Sequence, residues 1–148
     1  MVSSLNSIFQ RDLNRLISII DAVPQEKCLW NKSEIITNSS GHLTLHICGN
    51  LRHFIGHVLG RTSYVRDRHN EFHSKPVSIK ELVNLLQITE REITQTLTDL
   101  TSEDLRQSYP IKVLGHEMTT EFFLSHLLGH LNYHLGQISI LLKLHLAS

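Results

Sequence analysis

Apolar residues recur at intervals of three or four positions through four long segments of the chain. This interval matches the helical repeat, so each segment presents one apolar face. The first pattern stops at Pro24, and the third opens with Ser78 and Glu81, which form an S-x-x-E capping signal. We therefore predict four amphipathic helices, from about Ser3 to Val23, Gly41 to Leu59, Ser78 to Leu100 and Thr119 or Thr120 to Leu146.

The connections between these helices complete the predicted architecture. They contain no strand pattern long enough to compete with a helical fold, and they run over Gln25–Ser40, Gly60–Val77 and Thr101–Met118. We predict an all-α protein, with one antiparallel four-helix bundle over residues 1–148 and a long connection between the third and fourth helices. Trp30 is expected to pack the first connection against the bundle, and a connection as long as the third is often functional.

Two glycines, Gly129 and Gly136, lie inside the fourth predicted helix. A glycine in a helix interior costs about 1 kcal/mol relative to alanine. Such positions are favourable where another backbone approaches closely. We expect that backbone to belong to a neighbouring helix or to a second subunit.

The charge balance narrows the classes of function. Lysine plus arginine equal aspartate plus glutamate at 14 each, so the formal net charge is zero and no basic surface for nucleic acid is expected. No apolar run is long enough for a transmembrane helix, and the charges of Arg11, Asp12 and Arg15 argue against a signal peptide. Two cysteines, Cys28 and Cys48, do not form a disulfide framework, so we expect a reducing cytoplasmic setting.

Histidine is the residue type that stands out, with 11 in 148 positions. Three of them, His126, His130 and His134, recur every four residues in the fourth predicted helix. Four residues are about one helical turn, so their rings follow one side of the helix at roughly 5–6 Å between Cβ atoms. Two imidazoles at this spacing can hold one metal ion between them.

Two common metal sites do not fit this pattern. Zinc peptidases use H-E-x-x-H, in which the glutamate is a general base, but the residues after His126 and His130 are Leu127 and Leu131. A ferritin-like di-iron site needs several carboxylates in E-x-x-H pairs, which the predicted helices do not supply. The remaining interpretation is a mononuclear site.

The second predicted helix offers a third ligand. His46 is favoured over His42, His53 and His57 because its surroundings are apolar, and Cys48 points to the far side of the helix. Three protein ligands leave coordination positions open for water or substrate. That arrangement is typical of catalytic rather than structural sites.

An ordered set of motifs accompanies these histidines. His46 is followed by Gly49–Arg52, then by Arg66–Arg68 with Glu71–Phe72, and the later histidine series runs into Gly136–Gln137. Together they resemble the DinB-like (DinB/YfiT) superfamily of bacterial four-helix bundles, and more closely its uncharacterised branch of about this length. The superfamily takes its name from DNA-damage-inducible genes, so the resemblance implies a role in the bacterial stress response.

The resemblance carries further expectations. It implies a metal triad at His46, His130 and His134, and a divalent ion, zinc or nickel before iron or manganese. Relatives include thiol transferases that use low-molecular-weight thiols and a thiol-dependent maleylpyruvate isomerase. Many members dimerise through the bundle, so a homodimer is expected, and the Gly129/Gly136 side of the helix is suited to that contact.

These expectations lead to a functional hypothesis. A metal held by three histidines activates a thiol or water against a small electrophile, as in a thiol transferase or a hydrolase. His126 and His53 are candidate catalytic acid–base groups, and the alternative for each is a surface histidine. The second class of function is a metal- or ligand-binding stress protein without catalysis.

Four further residues are candidates for substrate binding. Asn50 and Gln137 are placed to hydrogen-bond a ligand or substrate, and the alternative is helix packing. Arg66 and Arg68 are candidates to bind an anionic substrate, such as a thiol that carries a carboxylate. The alternative for these arginines is a solvated, self-paired loop.

Overall fold

The computed structural model describes residues 1–32, 34–35 and 37–147. Ser33 and Ile36, within the first predicted connection, and Ser148 lie outside the described residues. The helices are α1 (Val2–Asp21), α2 (Lys27–Trp30), α3 (Ser40–Leu51), a π-helical segment (Arg52–His57), α4 (Arg68–His73), α5 (Ile79–Asp99), α6 (Ser102–Arg106) and α7 (Thr120–Ala147). The long helices α1, α3 with its π-helical extension, α5 and α7 form the four predicted helices, so the all-α prediction is confirmed.

The connections contain short helices of their own. Residues 60–77, expected to be a loop, include α4, whose first turn is capped by the Asp67 carboxylate accepting from the amide of Asn70 at 3.0 Å. In the connection 100–119, Thr101 and Asp104 form a capping box that starts α6. Short local caps of this kind are sufficient for one helical turn but leave no long periodic signal in the sequence.

Two pairs of long helices are antiparallel. The start of α1 lies beside the end of α5, where Asn6 donates to the Thr98 hydroxyl at 3.1 Å. The π-helical end of α3 lies beside the start of α7, where the rings of Phe54 and Phe123 meet edge to face at 5.3 Å. These contacts give the antiparallel part of the predicted bundle.

The other two pairs of neighbouring helices, α3 with α5 and α1 with α7, each run in the same direction. The Arg52 guanidinium pairs with Glu92, and farther along both helices Gly60 lies against Thr96, so α3 and α5 are parallel. Parallel neighbours cannot be joined by a tight turn. Residues 58–78 therefore return along the bundle as a crossover segment, with α4 packed on α3.

The core fills the space between the four long helices. Its fully buried side chains come from all of them and include Phe9, Leu13, Leu16, Ile20, Leu43, Ile47, Leu51, Ile55, Leu82, Leu86 and Phe123. None of the helices that the structure describes combines the length and apolarity needed to cross a membrane.

Gly129 and Gly136 face away from this core. A Cβ atom built on either glycine has no heavy atom within 4 Å beyond its own stretch of helix, among the residues that the structure describes. No neighbouring helix of the described chain therefore makes the close approach expected at these glycines. The second subunit remains as the alternative.

Trp30 packs the first connection against the bundle, as the sequence predicts. Its indole Nε1 donates to the Val77 carbonyl at 3.2 Å, and its ring meets the His42 ring edge to face at 5.1 Å. A Cβ atom at Gly41 would lie 2.6 Å from this indole. Gly41 is thus the residue that allows the tryptophan to lie flat on α3.

We predict that Gly41→Ala lowers the free energy of unfolding by about 1–3 kcal/mol, because the new methyl group overlaps the Trp30 ring. The measurement is urea unfolding followed by far-UV circular dichroism. The matched control is the same substitution in a Trp30→Leu background, where the overlap is absent and the cost should fall below half. An equal cost in both backgrounds would contradict the assignment.

Candidate metal centre

Three histidine rings from α3 and α7 meet at the interface of these helices. His46 is buried, and His130 and His134 are half-buried. The His130 Nε2 atom lies 3.3 Å from His46 Nε2 and 3.1 Å from His134 Nε2. Each ring offers one nitrogen, and the three nitrogens all lie within 4.8 Å of one another, so the residues are positioned to hold a metal ion.

The nitrogen spacing can be compared with what a metal requires. Zinc binds imidazole nitrogens at about 2.0–2.1 Å, which places two nitrogens of a tetrahedral site about 3.3–3.4 Å apart. The separations of 3.3 and 3.1 Å are close to this value. The third pair, His46 and His134, also lies within 4.8 Å, so the cluster is positioned to hold a small divalent cation.

The outward-facing nitrogens of two rings are held by oxygen acceptors. His46 Nδ1 donates to Glu71 Oε2 at 2.8 Å, and His134 Nδ1 donates to Gln137 Oε1 at 2.7 Å. The amide nitrogen of Gln137 donates in turn to the Tyr133 hydroxyl at 3.3 Å, which agrees with this orientation of the amide. A neutral imidazole with a proton on Nδ1 keeps its lone pair on Nε2, so both lone pairs face the cluster.

Glu71 is the acceptor for His46 and is itself buried. Arg66 donates to both of its oxygens, from Nε to Oε1 at 2.7 Å and from Nη2 to Oε2 at 3.0 Å. Burial opposes the charge, but the hydrogen bonds from His46 and Arg66 outweigh it and hold the pKa of Glu71 below its ordinary value. The carboxylate is therefore ionised at neutral pH and is a strong acceptor for the His46 proton.

Gly49 makes room for this carboxylate. A Cβ atom at position 49 would lie 2.1 Å from Glu71 Oε1. The sequence places Gly49 one turn after His46, and the Phe72 ring covers the other side of that histidine at 4.8 Å between ring centroids. The crossover segment thus contacts His46 through both Glu71 and Phe72.

His130 and His134 are in their neutral form near pH 7. Burial, followed by the neighbouring His134 and His46, lowers the pKa of His130 to about 4. Burial also lowers the pKa of His134, and the hydrogen bond with Gln137 only partly offsets this. Neutral imidazole is the form that binds metals, so protons compete weakly at these two rings.

The two candidate catalytic histidines lie outside the three-histidine cluster. His53 is half-buried on the π-helical segment, and burial together with Arg66 and His57 lowers its pKa. His126 is exposed on α7, where its ring stacks on Phe123 at 5.7 Å. Both lie toward the same end of the cluster, and their catalytic roles stay predictions.

The candidate substrate-binding residues have different surroundings. Gln137 holds His134, and Arg66 is engaged with Glu71. Arg68 is exposed on the first turn of α4. Asn50 is buried one turn after His46, and its Oδ1 atom has no hydrogen-bond partner within the part of the chain that the structure describes.

Cys48 lies in the core and is not one of the three residues that converge. Burial raises the pKa of its thiol to about 12, so it is protonated at neutral pH. A protonated thiol is a poor metal ligand. The sequence likewise predicts that Cys48 is not a metal ligand.

The residue that sequence reasoning missed is Glu71 as the partner of His46. The run Arg66–Glu71 is visible as a charged segment, but its predicted roles are the binding of an anionic substrate or a solvated, self-paired loop. The two partners are 25 residues apart in the chain, so no local spacing reports their contact. The sequence contains only a weak signal for this contact. Glu71 is a carboxylate in a chain rich in histidine, and it is followed directly by an aromatic residue, Phe72.

The fold and these contacts define a four-helix bundle with three histidines able to hold a metal. The chain belongs to the family described as "Protein of unknown function (DUF1572)", whose sequence profile matches residues 2–147. The fold is similar to the crystal structure of a DinB-like protein from Bacillus cereus ATCC 10987, with a TM-score of 0.67 and 19% identity over 94% of this chain and 84% of that chain. The fold that the resemblance to the DinB-like superfamily implies is thereby confirmed. No curated protein sequence matches significantly.

We predict that Glu71→Gln weakens zinc binding by about 10–100-fold, because a neutral amide is a poorer acceptor for the His46 proton. The measurement is competition with a chromophoric chelator, on protein purified without a histidine tag. Asp21→Asn, a change of the same kind at an exposed position on α1, is the matched control and should leave affinity unchanged.

Gly49→Ala provides a second test of the same contact, because it keeps every donor and acceptor but displaces the Glu71 carboxylate. Affinity should again fall by more than about tenfold. Full zinc affinity in both variants would show that the carboxylate does not orient His46.

Proposed function

We propose that this protein binds one divalent metal ion through His46, His130 and His134. The convergence of three imidazole nitrogens carries the proposal. Zinc and nickel are preferred, since both are well suited to nitrogen ligands, and iron or manganese is the alternative. Three ligands leave coordination positions open to a water molecule or a substrate.

The proposed function is a metal-dependent enzyme of the thiol transferase or hydrolase type. A divalent ion at such a site lowers the pKa of a bound water toward about 7 or stabilises a thiolate. The substrate is proposed to be a small electrophile, with a low-molecular-weight thiol as the attacking partner in the transferase case. His53 and His126 are the proposed residues that accept or return a proton in this reaction.

The buried side chain of Asn50 favours the binding of a polar ligand near the three-histidine cluster. A buried amide oxygen without a partner costs about 1–3 kcal/mol, which a hydrogen-bond donor on a ligand would recover. Gln137 keeps His134 in its binding orientation. Arg66 and Arg68 are the proposed contacts for a carboxylate on the substrate, with Arg68 the more accessible of the two.

Metal content gives the direct test of this proposal. Protein purified without a metal-affinity step should carry about one divalent ion per chain, because three neutral imidazoles converge on one point. His130→Ala and His134→Ala should each lose most of it, as measured by mass spectrometry of the metal. His116→Ala, which changes an exposed histidine in the connection 100–119, should retain it.

Equal metal content in all variants would exclude the three-histidine site. If metal binds, turnover is measured with a panel of thiols and electrophiles. Metal binding without any turnover would leave the stress-response binding protein as the function.

We also propose a homodimer through α7. Phe122, Tyr133 and Ile140 are more than half exposed, and they share one side of this helix with Gly129 and Gly136. The opposite side of α7 packs in the core, so apolar residues lie on two opposite sides of the helix. An exposed apolar side of this kind often marks a contact with another protein surface, and the two glycines would let a second backbone approach closely.

Ile140→Arg should convert the dimer to a monomer, because two like charges would face each other across a close helix contact. Sedimentation velocity over a range of concentrations measures the outcome. Gln87→Arg, on the exposed side of α5, is the control. A monomeric parent protein, or a dimer that tolerates Ile140→Arg, would contradict an interface on this side of α7.

A further inference from the structure

A groove lies between α1 and α7 and shares no residue with the three-histidine cluster. The two helices run in the same direction and are joined where Asn132 donates to Asp12 at 2.8 Å. Toward the C-terminal end of both helices they enclose a groove of about 380 Å³. The proposal below therefore does not depend on metal binding.

The lining of the groove is mostly apolar. Val23 and Leu142 are buried at its base, and Ile19 and Leu146 form its sides. Pockets for small molecules typically measure about 300–1,000 Å³ and combine apolar walls with a few polar groups. The groove is at the small end of this range, which suits one alkyl chain and not a two-chain lipid.

Two cations stand at the edge of the groove. Arg15 lies on α1 and Lys143 on α7, and both are exposed. Neither forms an ion pair with another of the described residues, whereas Arg11, one turn before Arg15, pairs with Asp12. An apolar groove with two unpaired cations at its edge is complementary to a molecule with an apolar tail and a negative head.

We infer that the groove binds a single-chain amphipathic anion, a medium-chain carboxylate. Its alkyl chain contacts Ile19, Val23 and Leu142, and its carboxylate lies between Arg15 and Lys143. Burial of the chain supplies most of the affinity. The two cations supply the preference for a charged head over a neutral one.

Isothermal titration of the full chain with decanoate below its micelle concentration tests the proposal, with decanol as the uncharged ligand of the same length. One decanoate should bind per chain, about tenfold more tightly than decanol, because two exposed ion pairs each contribute modestly. The double variant Arg15→Gln/Lys143→Gln should remove that preference. The control Lys80→Gln/Arg91→Gln, which removes two exposed cations elsewhere, should keep it.

Ala22→Trp tests the location, because the indole would fill the groove from the exposed residue that follows α1. Decanoate binding should be lost while the thermal unfolding midpoint is kept. Ile19→Asp, which places a negative charge in the wall and repels the carboxylate, serves if Ala22→Trp does not fold.

The inference would be overturned by equal affinity for decanoate and decanol, by unchanged binding in the folded groove variants, or by uptake that does not saturate near one ligand per chain. Binding to anionic two-chain vesicles without binding of free decanoate would also overturn it, in favour of a membrane surface.

Discussion

The buried carboxylate of Glu71 is the contact on which the arrangement of the three-histidine cluster depends. A buried charge is strongly unfavourable unless it is paired and fully hydrogen-bonded. Arg66 supplies the opposite charge and two of those bonds, and His46 supplies a third, so removing Arg66 would leave an uncompensated charge in the interior. The same bonds fix which nitrogen of His46 faces the cluster. The same contacts of Glu71 therefore stabilise the crossover segment and orient His46. Gly49 provides the space for the carboxylate.

The topology of the bundle explains why this carboxylate is available. Because α3 and α5 are parallel, the chain must return over the length of the bundle between them, and α4 lies on that path against α3. A bundle with tight turns throughout would carry no segment at this place. The crossover segment also holds Phe72 on the ring of His46. The parallel direction of α3 and α5 supplies no metal ligand itself. It nevertheless determines which residues surround the three histidines.

The parts that the sequence predicted are those governed by local spacing. The four long helices follow from apolar periodicity, and the pair His130 and His134 follows from the four-residue repeat. His46 was selected because its neighbours are apolar, and the structure brings its ring to the other two. His126 shares the four-residue repeat, but it lies one turn before His130 and is exposed. Spacing alone does not distinguish these positions, since burial depends on the helices packed alongside.

The parts that could not be predicted depend on contacts distant in the sequence. The pairing of Glu71 with His46 joins residues 25 positions apart, and the parallel direction of α3 and α5 leaves no periodic signal. The short helix α4 depends on the local cap at Asp67, which resembles many turn signals. Tertiary contacts decide these features, and one sequence without related sequences does not report such contacts.

The proton arrangement of the cluster favours a cation over a hydrogen-bond network. Glu71 and Gln137 hold protons on the outer nitrogens of His46 and His134, so the Nε2 atoms of both rings are acceptors. His130 Nε2 lies within 3.3 Å of both, and a single proton on it cannot make two well-aligned hydrogen bonds. Burial and neighbouring histidines lower the pKa of His130 to about 4, so adding protons to the cluster is unfavourable near neutral pH. A divalent ion at the centre would satisfy all three lone pairs at once, which is why the donor set fits a metal better than it fits water or protons.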